Sequence, residues 1–197
     1  MKKVFLLAVA LLAFCAAKAQ PAVGDFTWGA KVGFNATNIS NFDAKNKMSI
    51  HVGAFAEKRY SDLLGASAEL IYSRQGARDK DGDWKYKLRV NYLNIPILAK
   101  FFVWEGLSVD VGPQFGFALN AKEKVKQNGN SGKHKNTYVN TFDLSLPIGV
   151  TYRMEDIVVS LHYNIGLTNA FDKDYAGGNN KNHVLQLSVG YCLNNLF

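Results

Sequence analysis

Apolar and polar residues alternate with a period of two along most of this chain. Because successive side chains of a strand point to opposite sides, this alternation predicts β-strands with one apolar and one polar face. The last stretch shows it clearly: Leu185, Leu187, Val189 and Tyr191 alternate with Gln186, Ser188, Gly190 and Cys192. Eight segments alternate in this way, beginning near Phe26, Ile50, Ala66, Tyr86, Leu107, Phe142, Ile157 and Leu185. Most have the roughly 9–11 residues that a tilted strand needs to cross a bilayer.

The fourth segment changes phase within its length. Its apolar residues are Tyr86, Leu88 and Val90 in one phase, and Leu93, Ile95 and Ile97 in the other. A change of face inside a strand requires one extra residue. The pattern therefore predicts a β-bulge near Asn91 and Tyr92.

The connections between the segments are alternately short and long. The short ones are Ser61-Asp62, Trp104-Glu105 and Glu155-Asp156, and the long ones are 38–47, 78–85, 121–136 and 171–181. Outer-membrane barrels have short periplasmic turns and longer extracellular loops. An even number of strands also lets the last strand pair with the first, which leaves no exposed edge in lipid. The sequence thus predicts an all-β fold, an eight-stranded antiparallel transmembrane barrel in the bacterial outer membrane with both termini periplasmic.

Charged residues within the segments fall almost wholly on the face shared with glycine, serine and asparagine. A soluble barrel such as a lipocalin would show the reverse arrangement, with an apolar interior and a charged exterior. We therefore expect a polar interior filled by side chains, in which buried charges are paired. The candidates for lumen ion pairs are Lys31, Glu57, Arg59, Glu69, Lys100, Asp110, Asp143 and Arg153. The expected pairings are Glu57 or Glu69 with Arg59, Lys100 or Lys31, and Asp110 or Asp143 with Arg153.

Aromatic residues form two groups along the segments, as expected of girdles at the two membrane interfaces. The turn-side group is Trp28, Tyr60, Phe101, Trp104, Tyr152 and Phe197, and the loop-side group is Tyr72, Tyr86, Phe117, Tyr138 and Phe171.

The N-terminus has the features of a secretory signal peptide. Lys2 and Lys3 precede an apolar run, and Ala17-Lys18-Ala19 offers a cleavage site. We expect residues 1–19 to be removed and residues 20–197 to form one barrel domain. The chain has 23 basic and 16 acidic residues, a mild excess without an arginine-rich cluster, so no nucleic-acid partner is expected. No cofactor or metal is predicted, since the acidic run at 79–83 has the chemistry of a hairpin turn.

The third long connection carries five lysines against one acid. Lys122, Lys124, Lys126, Lys133 and Lys135 are candidates for contact with lipopolysaccharide phosphates. The alternative is a solvated loop that carries charge.

One group of residues is a candidate for catalysis. His162 and Ser160 share a strand face, within a strand or two of Asp143 and Ser145. The sequence shows no nucleophile elbow or oxyanion motif, so we assign no catalytic residue. A lipid A-modifying hydrolase is the least favoured of the alternatives.

Several segments resemble one bacterial family. They are residues 92–101 (YLNIPILAKF), 112–116 (GPQFG), 146–149 (LPIG) and the closing stretch 182–197. Together they resemble the outer-membrane β-barrel family of Bacteroidota, the PorT-like group. The resemblance implies the fold and the location, and outer-membrane lipid and lipopolysaccharide as surroundings. It also implies that the closing strand, with Tyr191, Leu193 and Phe197, is the insertion signal read by the barrel-assembly machinery. The function expected is a non-enzymatic structural, surface-interaction or accessory role, with a small-solute pore or a lipid-binding barrel as the alternative.

Overall fold

A computed structural model describes residues 23–40, 47–76, 78–81, 84–127, 130–135, 138–171 and 180–194. The expected signal peptide (1–19) and Phe197 lie outside these residues. Within the described ranges, no helix is long and apolar enough to span a membrane.

The described chain forms β-strands throughout. They are β1 (Phe26–Ile39), β2 (Lys47–Arg59), β3 (Leu64–Gln75), β4 (Arg78–Asp81), β5 (Trp84–Trp104), β6 (Leu107–Val111), β7 (Gln114–Gln127), β8 (Asn130–Lys135), β9 (Phe142–Met154), β10 (Ile157–Gly166) and β11 (Asn182–Cys192). β6 and β7 form one barrel strand interrupted at Gly112-Pro113. Without β4 and β8, which lie beyond the barrel wall, eight strands remain.

These eight strands close into a barrel. Each pairs antiparallel with the next along the chain, and β11 pairs antiparallel with β1 through Val32 and Val189. Closure leaves no unpaired edge in the wall. The prediction of an all-β, eight-stranded antiparallel barrel is confirmed.

Two of the tight turns use left-handed backbone conformations. Glu155 has φ 52° in the turn between β9 and β10, and Gly106 has φ 72° in the turn between β5 and β6. Glycine adopts this conformation at no steric cost, whereas a residue with a Cβ is strained by it. Both turns lie at the same end of the barrel as the start of β1 and the end of β11.

Apolar side chains cover the outside of the barrel and polar side chains fill the inside. Val32, Leu70 and Leu187 are about half exposed on the outer surface, whereas Asn35, Ser188 and Asp110 are at most 1% exposed inside. This inside-out distribution is that of a barrel whose outer surface contacts lipid.

The expected irregularity near Asn91 is present, but the reason given for it is wrong. β5 keeps one face inward throughout: Leu88, Val90 and Tyr92 are as buried as Asn94 and Lys100. The register with β7 shifts between Asn91 and Tyr92, which pair with Asn120 and Ala118. The extra residue is therefore Leu119 of β7. The apolar phase of β5 changes because its inward residues pass from an apolar to a polar layer of the interior.

Two of the connections expected to be loops consist largely of strands. β4 pairs with the start of β5, consistent with the hairpin turn predicted at Asp81-Gly82, and β8 pairs with the end of β7. Since β5 also pairs with β7 in this region, the wall continues upward as a four-stranded sheet in the order β4-β5-β7-β8. β4 and β8 contain no apolar residue, so a hydrophobic pattern does not reveal them.

Candidate functional site: the barrel interior

All eight predicted lumen residues lie inside the barrel, each at most 9% exposed. Each lies on the inward-facing phase of a strand whose side chains alternate with a period of two, and closure of the barrel brings these inner faces together. Lys31 of β1 pairs with Glu69 of β3, with 2.6 Å between Nζ and Oε2. This pair spans the intervening strand β2.

Glu57 of β2 contacts two bases at once. Its Oε2 lies 3.1 Å from Lys100 Nζ, and its Oε1 lies 3.3 Å from Arg153 Nη2. The same Arg153 nitrogen donates to Thr27 Oγ1 at 3.0 Å. Arg153 therefore pairs with Glu57, and the expectation that it pairs with Asp110 or Asp143 is wrong.

Asp110 of β6 has the most extensive set of partners. It accepts hydrogen bonds from Ser108 Oγ at 2.6 Å and from Thr151 Oγ1, and Lys100 Nζ lies 3.4 Å from its Oδ2. His162 Nε2 lies 3.1 Å from the same oxygen. Lys100 thus joins Glu57 and Asp110 into one chain of contacts that crosses the lumen.

The two remaining predicted residues lie nearer the barrel ends. Arg59 donates to the carbonyl oxygens of Ser61 (3.0 Å) and Asp62 (2.6 Å), and its guanidinium lies 4.4 Å from the centre of the Phe102 ring. It therefore holds the β2–β3 turn. Asp143 accepts a hydrogen bond from Thr168 Oγ1 at 3.1 Å.

Neutral polar groups fill the lumen between these charges. His51 is 1% exposed, and its two ring nitrogens lie 2.8 Å from Asn35 Oδ1 and Ser188 Oγ. Asn35 Nδ2 donates in turn to Ser73 Oγ at 2.8 Å. This side-chain network joins β1, β2, β3 and β11 across the seam where the barrel closes.

One interior base was not predicted. Lys47 is 6% exposed, and its Nζ donates to the carbonyl oxygens of Gln75 (2.7 Å) and Leu88 (2.8 Å). The sequence placed Lys47 in a connection because the apolar alternation of the second segment begins only at Ile50. Residue 47 lies in the same alternating phase as the inward-facing His51. Extending that alternation four residues toward the N-terminus would have predicted Lys47 as an interior residue.

Apolar layers lie toward both ends of the polar lumen. Near the loops the layer is formed by Leu88, Val90, Tyr92, Ala121, Ala170 and Phe171. Near the turns it is formed by Phe55, Val158 and Cys192, the last a free thiol. Phe171 is 1% exposed and therefore belongs to the interior, not to the loop-side girdle where it was expected. A cavity of about 10 Å³ adjoins the turn-side layer and is also bordered by Lys31, Glu57 and Lys100, which is about the space of one water molecule.

The histidine considered for catalysis is enclosed. His162 is 4% exposed and contacts Asp110, rather than forming a group with Ser160 and Asp143. Within the described residues, no cluster of three or more histidine, cysteine or acidic side chains is placed to hold a metal ion.

The other predicted residues lie on the outside or beyond the barrel. Tyr191 is 46% exposed on the outer surface, and its hydroxyl donates to Asp156 Oδ2 at 3.4 Å. Leu193 follows the end of β11, and its backbone nitrogen donates to Trp28 O at 2.8 Å. The five lysines of the third long connection lie at register positions in β7 and β8: Lys122, Lys124, Lys126, Lys133 and Lys135.

Comparison with known proteins agrees with this architecture. Residues 18–172 match the family model described as "Outer membrane protein beta-barrel domain". The chain belongs to this family. Membership supports an integral outer-membrane location, as the apolar outer surface requires. No curated protein matches the chain.

Two solved structures illustrate the likeness of the fold. Ail, the attachment invasion locus protein of Yersinia pestis, is similar with a TM-score of 0.51 and 12% sequence identity over 86% of this chain and 99% of that one. Neisserial surface protein A (NspA) has a TM-score of 0.51 and 12% identity over 84% of this chain and 96% of that one. At these identities the likeness shows the shared barrel fold.

Proposed function

We propose that this protein is a non-enzymatic outer-membrane barrel with a closed lumen, whose role is structural or lies in interactions at its surface. The observation that carries the proposal is the chain of contacts from Arg153 through Glu57, Lys100 and Asp110 to His162. Each of these side chains contacts the next, and together they cross the lumen where a channel would run.

The energetics of the interior support a closed lumen. Opening a water-filled path would separate groups that are now paired and would expose the apolar layers at both ends. Removing one partner of a buried pair costs about 3–5 kcal/mol, so thermal motion opens several such contacts together only rarely. The cavity bordered by Lys31, Glu57 and Lys100, of about 10 Å³, has no room for a solute larger than water.

The orientation is also part of the proposal. Both termini and the short turns would lie in the periplasm, and the sheet formed by β4, β5, β7 and β8 would stand outside the cell. The difference in length between the two sets of connections supports this, because outer-membrane barrels carry their longer segments on the outer side. The motif at residues 92–101 supports the narrower PorT-like assignment within Bacteroidota, which we propose on that resemblance alone.

Conductance measurements test the closed lumen. The mature chain, refolded and added to planar bilayers, should give no stable unitary currents. Phe171→Ala, which removes a ring from the loop-side apolar layer, should allow brief openings, whereas Phe117→Ala on the outer surface should not. Stable currents from the unaltered barrel would overturn the proposal and favour the small-solute pore.

A lipid measurement tests the absence of catalysis. The lipid A profile of cells that overproduce the protein should equal that of cells that overproduce the His162→Ala variant. A modification that appears only with the unaltered chain would establish the hydrolase instead.

A further inference from the structure

The four-stranded sheet above the barrel aligns basic residues from strand to strand. Its register places Arg78 beside Lys87, Lys87 beside Lys124, and Lys124 beside Lys133. Four bases from four strands therefore form one continuous row. Similar rows lie on either side of it, one of Lys80, Lys85 and Lys126, the other of Arg89, Lys122 and Lys135.

These three rows lie on the same face of the sheet, because they are two residues apart and residues at i and i+2 share a face. We call this the basic face; it consists of Arg78, Lys80, Lys85, Lys87, Arg89, Lys122, Lys124, Lys126, Lys133 and Lys135. The acids of the same strands, Asp79, Asp81 and Glu123, all hold register positions on the opposite face. Basic and acidic residues are thus completely separated between the two faces.

The lowest row shows which way the basic face is directed. Arg89 and Lys122 are exposed, whereas their neighbours Leu88 and Ala121 are buried in the interior. The lowest row therefore continues the outer surface of the barrel. By register, the two upper rows hold positions on the same side of the sheet, and the acids hold positions on the side that continues the inner face.

This arrangement opposes the stability of the sheet. Like charges directly opposite on neighbouring strands destabilise the pairing, and a sheet selected for stability alone would alternate them in sign. Lysines often protect sheet edges from aggregation. That explanation fits β4 and β8, but six of the ten bases lie on the inner strands β5 and β7, where no edge needs protection.

The type of residue on the outer surface changes stepwise from the barrel wall to the basic face. Tyr72, Leu93, Phe117 and Phe142 form one row across four strands, and Phe117 and Phe142 meet edge to face at 5.7 Å between ring centres. The next paired row is polar, with Arg74, Asn91 and Asn120, and the bulged Leu119 beside it adds one exposed apolar side chain. The basic rows follow. This sequence of apolar, aromatic, polar and basic residues is the one expected across a membrane interface.

The height of the basic face indicates the kind of anion. Successive rows are about 7 Å apart along the strands, so the three rows extend over roughly 13 Å. The headgroup region of a bilayer adds only about 5–8 Å on each side of the hydrocarbon core. Even with the tilt of the strands, the upper rows reach beyond a simple phospholipid headgroup. A glycolipid that carries its phosphates on a thick sugar headgroup matches this height.

We propose that the basic face binds the phosphate groups of lipopolysaccharide in the outer leaflet around the barrel. Lysine binds phosphate as a point charge, and arginine is suited to bidentate recognition of it, so this composition matches a phosphate ligand. The acyl chains of the same lipid contact the apolar surface below the aromatic row, so that one molecule is held at both levels. The inference rests on the proposed orientation of the barrel.

A competition between two lipids tests the inference. The refolded mature chain in a zwitterionic detergent is mixed with equal amounts of bisphosphorylated lipid A and its dephosphorylated form, and bound lipid is measured by native mass spectrometry. The phosphorylated form should be enriched. The variant Lys87→Gln/Lys124→Gln/Lys133→Gln should reduce the enrichment about 10- to 100-fold, since each lysine near an anionic surface contributes roughly fivefold.

The matched control replaces the same three lysines with arginine. This variant keeps the charge and should keep the enrichment; loss in both variants would show that the charge is not responsible and would overturn the inference. If the glutamine variant fails to fold, Lys80→Gln/Lys85→Gln/Lys126→Gln tests the upper row in the same way. Equal binding of the two lipids by the unaltered chain also overturns it.

Competition with a soluble anion distinguishes lipopolysaccharide from free phosphate as the ligand of the basic face. Inorganic pyrophosphate at a matched phosphate concentration should leave the bound lipid in place, because it cannot replace the acyl-chain contacts. Displacement by pyrophosphate would reject lipopolysaccharide as the occupant. A barrel that conducts yet discriminates between the lipids would overturn the closed lumen but not the basic face, so the two proposals fail separately.

Discussion

Neutralising one interior carboxylate tests whether the ion pairs hold the barrel together. Lys31 donates only to Glu69 among the described residues, whereas the two bases beside Glu57 have further partners: Lys100 contacts Asp110 at 3.4 Å, and Arg153 contacts Thr27 at 3.0 Å. Counting charges alone would make Glu57 the more important residue, because it touches two bases. Counting the partners that each base keeps after the substitution instead makes Glu69 the more important residue, because Lys31 would keep none of its described partners whereas Lys100 and Arg153 would each keep one.

The expected magnitudes follow from the cost of leaving a buried charge without its partner. Glu69→Gln should destabilise the barrel by about 3–5 kcal/mol, the full range for such a loss. Glu57→Gln should cost about 2–3 kcal/mol, because the remaining hydrogen bonds of Lys100 and Arg153 offset part of the penalty. Glu105→Gln, the same substitution at an exposed turn, should change the stability by less than about 0.5 kcal/mol.

Reversible urea unfolding of the refolded barrel in lipid vesicles, followed by tryptophan fluorescence, measures these differences. Lys31→Met/Glu69→Leu is the decisive companion variant, since removing both members of a buried pair is often neutral or stabilising. Costs below about 1 kcal/mol for both single variants would show that water replaces the lost partners. The reverse order, with Glu57→Gln the more damaging, would refute the reasoning from remaining partners.

Three other regions of the barrel give further tests. Gly149→Ala should prevent formation of a heat-modifiable barrel, because a Cβ there would meet Leu161 O and the ring of His162, whereas Gly190→Ala, with its nearest contacts at 3.1 Å, should fold. Deleting residues 196 and 197 should leave export intact but reduce insertion into the outer membrane, and normal insertion of the shortened chain would contradict the assembly signal implied by the resemblance. An epitope inserted between Gln127 and Asn130 should bind antibody on intact cells; binding only after permeabilisation would reverse the proposed orientation.

The alternation of the sequence predicted the faces of the strands correctly because it depends on a local property. Period-two parity assigns Lys31, Glu57 and Asp110 to one side without any knowledge of the fold. The pairing of these residues depends on the stagger between strands around the closed barrel. The alternation within a single strand does not determine that stagger. Arg153 therefore reached Glu57, nearly a hundred positions away in the chain, instead of the acids expected beside it.

The interpretation of β5 shows a second limit. An apolar residue in a membrane barrel is satisfied on the lipid side or in an apolar layer inside, so hydrophobicity alone does not identify its face. Leu88, Val90 and Tyr92 lie inside for the second reason. The short strands β4 and β8 were missed for a simpler reason, because neither contains an apolar residue and a hydrophobic pattern cannot reveal them.

The buried thiol of Cys192 allows closure of this barrel to be measured without introducing a cysteine by mutation. With cleavage after Ala19 as predicted, it is the only sulfhydryl of the exported chain, and in the closed barrel it is 3% exposed against Phe55 and Val158. A membrane-permeable alkylating agent added to growing cells would therefore mark only chains whose last strand has not yet joined the first. The unmarked fraction after successive delays would give the rate of barrel closure in the living cell.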